Sequence, residues 1–328
     1  MADRKRILSG MRPTGRFHLG NYFGAAINWV RQMDVYDCYY MVADYHGLTT
    51  QPDAREFEQQ IYDLAGDMLS VGVDPDRCVL YLQSSVPEVA ELALLLSNVT
   101  PYGWVQRTPS FKEKARQQPD NINVGLLNYP VLQAADILLV KGEAVPVGRD
   151  QAAHVEITRE IARRFDRIYG RRVFPEPELL LTETPLILGT DGKQKMSKSI
   201  GNIVGVTEPA DVISKQVLSM VTDVRRTYRS QPGHPRSCNV CALYKLFFPD
   251  DWEVYWEACR KAEMGCHDKK KLLAERIVQT FAMFRKRRTA LSNEEIKRIL
   301  DIGSARARDL ARQTIAETRA AVGLLPGL

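Results

Sequence analysis

Through the first 200 residues, short apolar runs alternate with stretches of helical periodicity. KRILSG reads as a strand ending at Gly10, and His18 to Gln32 reads as a helix. CYYMVADY (Cys38 to Tyr45) and CVLYLQS (Cys78 to Ser84) are β-rich runs. Between them, Asp53 can cap a helix to Ser70 that carries Phe57, Ile61, Leu64, Ala65 and Met68 on one face. ELALLLSNV belongs to a third helix, YPVLQAADILLV (Tyr129 to Val140) to a buried one, and VPVG (Val145 to Gly148) to a short strand. Asp150 then caps a helix to Tyr169. Strands alternating with helices predict a parallel sheet with right-handed crossovers. The polar, glycine-containing GTDGKQKMSKSIGN (Gly189 to Asn202) reads as a loop, and after Thr207 the periodicity is helical with almost no strand signal. The expected architecture is α/β over 1–206 followed by an all-helical part over 207–328.

Composition narrows the classes. At 328 residues, with 45% hydrophobic and 26% charged residues, the chain is ordinary for a globular protein. No apolar run approaches the roughly 20 residues of a membrane span. The start, MADRKRILSG, lacks the long apolar core of a secretory signal. A cytoplasmic location is therefore expected. The net charge of +5 hides an asymmetry: residues 1–206 carry 23 Lys and Arg against 25 Asp and Glu, whereas 207–328 carry 22 against 15. A near-neutral first part and a basic second part suggest small-molecule chemistry followed by contact with a polyanion, or else a solvated basic face.

Two motifs carry chemistry. RPTGRFHLGN (Arg12 to Asn21) joins the first strand to the first helix, a place where nucleotides bind at the carboxyl ends of parallel strands. The helix amides favour an anion there. Gly15 permits a tight turn, Gly20 lets a flat base lie on the helix backbone, and His18 and Asn21 supply short polar groups. KMSKS (Lys195 to Ser199) sets two lysines on a loop, where mobile ammonium groups can follow a phosphate and tighten on it in a transition state.

HLGN followed by KMSKS resembles the signature pair of class I aminoacyl-tRNA synthetases. GMRPTGRFHLGNYFGA, VADYHGLTT, YPVLQAADILL, VPVGRDQAAHVEITREIARRF and GTDGKQKMSKS are similar to the bacterial tryptophanyl group over nearly the whole chain. The resemblance implies a Rossmann-type catalytic domain and a helical anticodon-binding domain. It implies activation of L-tryptophan by ATP with Mg2+, transfer to tRNA(Trp), and a homodimer. Lys195, Ser197, Lys198, His18 and Asn21 would be catalytic. Arg12, Pro13, Thr14, Gly20, Gly148, Arg149, Asp150, Leu186, Met196 and Ser199 would join the lysines and Asn21 around ATP. Asp136, the one charge in its apolar helix, would accept the indole N–H, which is a donor only. Tyr129 and Gln151 would hold the amino-acid end, with His46, Ala43, Val145 and Val147 at the pocket wall. Lys112 and Lys114 would reach phosphate or the tRNA end, or lie at the surface. A tyrosine-specific relative and a non-catalytic paralogue that binds tryptophan or RNA are the alternatives.

Cys238, Cys241, Cys259 and Cys266 give C-x2-C-x17-C-x6-C, a credible four-thiolate metal site. Cys38 and Cys78 read as plain core residues. The segments PGHPRSCNV and WEACRKAEMGC and Gln133 resemble a synthetase branch with a [4Fe–4S] cluster, whose usual fourth ligand position here holds Lys269. An iron–sulfur cluster with Cys241 as replacement ligand is the expectation, with Zn2+ or no metal at all as the alternatives and His267 as a weaker ligand. Arg225, Arg226, Arg229, Lys269 to Lys271 and Arg285 to Arg288 would meet RNA phosphates. Trp252, Tyr255 and Trp256 would stack on bases or pack in the core.

Overall fold

The structure, a computed structural model, describes residues 4–108, 111–112, 115–116, 119–148, 152–181, 186–198 and 200–325. Five parallel strands make one sheet in the order β3-β2-β1-β4-β5: β1 Arg6–Met11, β2 Asp37–Val42, β3 Val79–Leu82, β4 Ala144–Val147 and β5 Glu178–Leu181. The expected strands all form. The fifth, β5, carried no sequence reading: it is a four-residue edge strand with mostly exposed side chains and no apolar alternation.

The period-two pattern of the strands builds a core on each face. Ile7, Cys38, Tyr40, Val42 and Leu80 face one side and pack with Trp29, Met33, Leu64 and Met68. Leu8, Tyr39, Met41, Val79 and Tyr81 face the other and pack with Leu92, Leu96, Leu138 and Phe165. Cys38 and Cys78 are buried core thiols, as their setting suggested.

The helix after β1 (α1) runs from Leu19–Asn21 through a π-helical turn, Tyr22–Ala26, into Ile27–Gln32. Such turns recur at functional sites. This one aims Tyr22 and Phe23 at the helical part of the chain: Tyr22 meets Phe281 at 4.9 Å and Phe23 meets Phe247 at 5.7 Å between ring centroids. α2, Ala54–Ser70, is capped by Asp53, whose side chain accepts from Arg55 N–H. α3, Glu88–Val99, α4, Val124–Leu139, and α5, Ala152–Tyr169, complete the α/β layers.

Beyond residue 206 lie α6 Ala210–Ser219, α7 Asn239–Phe247, α8 Trp252–Arg260, α9 Cys266–Thr280, α10 Ala282–Ala290 and α11 Asn293–Val322. No strand occurs there among the described residues. α11 does not stay with its neighbours in sequence. It returns to the edge of the sheet and lies on β3, so close that a Cβ on Gly303 would fall 1.8 Å from the Leu80 carbonyl oxygen. Leu82 N–H donates to Ser304 Oγ at 3.2 Å, covering part of that edge.

Candidate active site

The strand order reverses between β1 and β4, and ligands of open parallel sheets bind beyond the carboxyl ends at such a point. β1 pairs with β2 over six residues but with β4 only at Ile7–Ala144. Pro146, two residues further along β4, has no N–H with which to extend a ladder. The crevice opens where the HLGN turn leaves β1.

That turn and the KMSKS loop are joined. Leu19 N–H donates to Val204 O at 2.9 Å, and Val206 N–H to Phe17 O at 3.0 Å. Lys198 Nζ donates to Gly15 O. Gly15 adopts φ +100°, where side-chain-bearing residues are strained. Gly20 lies tight against the His18 ring, which a Cβ there would approach to 3.0 Å. Asn21 Oδ1 accepts the His18 N–H at 3.1 Å. His18 is buried, its Nδ1 lacks a hydrogen-bond partner among the described residues, and its pKa falls to about 3. Burial is the main cause, with the Lys198 and Lys195 charges adding to it. The ring is therefore neutral and has a polar atom free for a ligand. Arg12 NH1 is likewise buried without a partner among the described residues, an arrangement that suits an anion.

The KMSKS loop is shaped by Asn202, which sequence reasoning left unassigned. Its Oδ1 accepts Ser197 N–H at 2.8 Å, while its Nδ2 donates to Asp191 at 3.1 Å and to Lys195 O at 3.3 Å. Gly189 makes this possible, because a Cβ there would lie 2.1 Å from Asn202 Nδ2. Lys195 is exposed; Lys198 is partly buried, and burial lowers its pKa to about 8 against the pull of Asp67, Asp63 and Glu208. Met196 is buried in the core beneath the loop, beside Gly20. Pro13 is buried next to Gly47, and Thr14 is exposed. Leu186 is 71% exposed. Gly148 is half-buried at the end of β4, whereas Arg149, Asp150, Gln151, Ser199 and Lys114 lie outside the described residues; Lys112 is exposed.

A second polar centre lies after β2. Asp136, 2% exposed on α4, accepts from Gln83 Nε2 at 2.8 Å and pairs with His46 Nε2 at 2.8 Å. His46 is thus a partner of the carboxylate rather than an isolated wall residue. Each carboxylate oxygen keeps a lone pair for a further donor. Tyr129 packs edge-on to His46, and its hydroxyl lies 2.6 Å from His154 Nε2. Val145 is buried in the core, and Val147 is half-buried at the strand end. Gln83 and His154 were not singled out from sequence: a Gln after a strand and a His on an amphipathic helix have many bland readings.

Half of the basic residues expected at a phosphate face, Arg226, Lys269, Lys270, Arg285 and Arg288, are turned inward, a correction for those five. Arg288 pairs with Asp63 at 2.9 Å and approaches Asp67 at 3.4 Å. Arg226 donates to Met264 O at 2.9 Å, Lys270 to Leu218 O at 2.9 Å and Arg285 to Val278 O at 2.6 Å. Arg225, Arg229, Lys271, Lys286 and Arg287 remain exposed. Trp252 and Trp256 pack edge-to-face at 5.1 Å against the core, with Lys245 4.6 Å from each ring.

The cysteines do not fit the expected metal centre. Among the described residues no group of three or more His, Cys, Asp or Glu is arranged to hold a metal ion. Cys238, Cys241 and Cys259 are buried, but Lys269 Nζ reaches in among them, 2.9 Å from Cys241 Sγ. Cys266 stands apart, with Arg226 NH1 at 4.0 Å from its sulfur. An ammonium has no lone pair with which to ligate a metal, so neither the iron–sulfur cluster nor zinc suits this set.

Residues 2–282 match the family model for class I tRNA synthetases (W and Y). The chain is 42% identical over 328 residues to a tryptophan–tRNA ligase of Thermotoga maritima, covering 98% of this chain and 99% of the relative. It is 38% identical over 395 residues to the tryptophan–tRNA ligase of Aquifex aeolicus, covering 97% and 100%. A crystal structure of tryptophanyl-tRNA synthetase from Campylobacter jejuni, complexed with ADP and tryptophan, superposes with a TM-score of 0.88 at 35% identity, covering 97% of this chain and all of that one.

Proposed function

The chain belongs to the class I tRNA synthetases of the tryptophan and tyrosine group, and from that premise we propose how its site works. It is a ligase that joins L-tryptophan to tRNA in two steps. First the tryptophan carboxylate attacks the α-phosphate of ATP. A P–O bond forms to give tryptophanyl-adenylate, and pyrophosphate leaves. Then a terminal ribose hydroxyl of tRNA(Trp) takes the acyl group and AMP leaves.

The observation that carries this reading is the union of the HLGN turn and the KMSKS loop at the strand-order reversal, with Lys198 bound to the Gly15 carbonyl. No nucleophilic side chain is needed, since both nucleophiles come from substrates; positioning and charge do the work. His18 and Asn21 at the helix start would meet the phosphates, and Mg2+ would enter on them. Lys195 and Lys198 would follow the departing pyrophosphate. Arg12 and the turn through Thr14, with Gly20 and Gly148, would line the nucleotide. Asp136, held by His46 and Gln83, would accept the indole N–H, with Tyr129 near the amino-acid end. The exposed basic residues of α9 and α10 would meet the tRNA.

An apolar groove beside Tyr129, with Leu48 and Leu94 exposed on it and Val124 alongside, supports a homodimer joined through the catalytic part. No helix of the described chain is long and apolar enough to cross a membrane; a cytoplasmic location belongs to this proposal, as a place where tRNA is charged. Charging of tRNA(Trp) with labelled tryptophan tests the proposal. Tryptophanyl-tRNA should accumulate only with ATP present, and a chain that charges another amino acid, or none, is not this enzyme.

A further inference from the structure

Lys269 is the least expected occupant of the cysteine cluster. It is 2% exposed on α9, in the first turns after Cys266. Its Nζ donates to Cys241 Sγ at 2.9 Å, with the buried Cys259 sulfur within electrostatic reach. Cys238 caps α7, Cys241 lies in the first turn of α7, and Cys259 lies in the last turn of α8. One ammonium therefore gathers sulfurs from two helices onto a third. The setting holds it there. Tyr244 Oη donates to Lys269 O at 2.8 Å, and the Tyr244 ring lies 5.7 Å from Nζ. Trp256 Nε1 donates to Cys241 O at 3.2 Å. Gly233 N–H donates to Cys259 O at 2.9 Å, and a Cβ on Gly233 would lie 2.5 Å from Cys259 Sγ, so the backbone closes tightly on the sulfurs.

A buried ammonium is costly unless an anion faces it, and the sulfurs are the groups that face this one. A thiolate metal site has the same electrostatic form: anionic sulfurs around a central cation. We infer that Lys269 replaces the metal itself, forming a metal-free lysine–thiolate staple that joins α7, α8 and α9 and excludes iron–sulfur and zinc from the cluster. The ammonium takes a coordinating position and supplies the positive charge at the same point. A metal entering beside it would meet a like charge and would lack a fourth ligand, because Cys266 is engaged toward Arg226.

The staple predicts that the helical part is indifferent to chelators. The full chain is purified anaerobically with iron and sulfide supplied, and separately with zinc supplied, and its metal content is measured. Each metal should stay at about a tenth of an atom per chain or less, and EDTA should leave the thermal midpoint unchanged. Stoichiometric zinc, or roughly four irons with matching sulfide, overturns the inference, as does a midpoint that falls on chelation. Lys269→Met keeps side-chain length without charge and should lower the midpoint by several degrees; an unchanged midpoint removes the staple. Lys269→Cys supplies a thiolate in place of the cation and should take up zinc. If that variant stays metal-free, Lys269 is not the group that excludes the metal.

Discussion

The Thr207 hydroxyl donates to Asp67 Oδ1 at 2.7 Å, while Asp67 Oδ2 accepts the Phe17 N–H at the same distance. Phe17 directly precedes His18, and Thr207 closes the segment that leaves the KMSKS loop. One fully buried carboxylate on α2 therefore ties both signature motifs together. Thr207→Val removes one arm of this tie without touching a substrate. It should lower kcat for tryptophan activation by roughly tenfold, since small misplacements of reacting groups are costly. The KM for tryptophan should stay within about twofold, because the Asp136 centre lies elsewhere. Steady-state pyrophosphate exchange checks this; an unchanged kcat would show that the tie is structural only.

Asp67 also predicts a pH dependence of stability. Burial pushes its pKa up to about 6, despite the Thr207 and Phe17 hydrogen bonds and the Arg16 and Arg288 charges. A carboxyl whose folded pKa is raised contributes stability fully below its unfolded pKa, near pH 4, and loses it as pH rises through 6. The size is roughly 3 kcal/mol, at about 1.4 kcal/mol per pKa unit. His18 acts in the opposite sense: its depressed pKa contributes stability above about pH 6.5 that is lost as pH falls toward 3. The test is thus a difference. Urea unfolding of the wild type and Asp67→Asn between pH 4 and 7 should show the Asp67 slope vanish in the variant, and identical slopes would contradict the assignment.

The tryptophan pocket is predicted to depend on Gln83 as well as on Asp136. Asp136→Asn places an amide where Gln83 Nε2 and His46 Nε2 converge, so one pair loses its acceptor. The kcat/KM for tryptophan should fall by roughly 100-fold, the size expected when a buried polar group is left without its partner. Gln83→Met leaves the carboxylate in place but less firmly held, and roughly tenfold is expected. Exchange kinetics at varied tryptophan measure both; a Gln83 variant that behaves as the wild type would mean that His46 alone orients the acceptor.

Gly303→Ala tests the return of α11 to the sheet. A Cβ at 1.8 Å from Leu80 O cannot be accommodated without moving the helix off β3. A loss of about 3 kcal/mol or more is expected, which belongs to the large tail of single substitutions. Thermal unfolding reads it directly, and a midpoint within a degree of wild type would place α11 more loosely than described.

Much of this was legible along the chain. The alternation in CYYMV set its two faces, Asp53 capped the helix it was expected to cap, and HLGN and KMSKS met at one crevice as their chemistry required. What stayed hidden shares a physical cause. Gln83 and Asp67 act through hydrogen bonds to residues far away in sequence, and a polar side chain carries no local sign of its distant partner; Asn202 bonds within its own loop, where an Asn after a Gly looks like any turn residue. Arg288 looked like one member of a basic run, yet it reaches back 225 residues to Asp63. α11 was readable as a helix, but Gly303, Ala307 and Ala311 do not reveal which surface they approach. The cysteine spacing suggested a metal; only the buried Lys269 ammonium at Cys241 shows what holds the sulfurs.

The most direct test of the account is amino-acid-dependent exchange of pyrophosphate into ATP, run with tryptophan and with tyrosine on the wild type and Lys195→Ala. Exchange is expected with tryptophan and little with tyrosine, and it should be lost in the variant while tryptophan binding persists. Exchange that favours tyrosine, or that survives loss of Lys195, would contradict this reading.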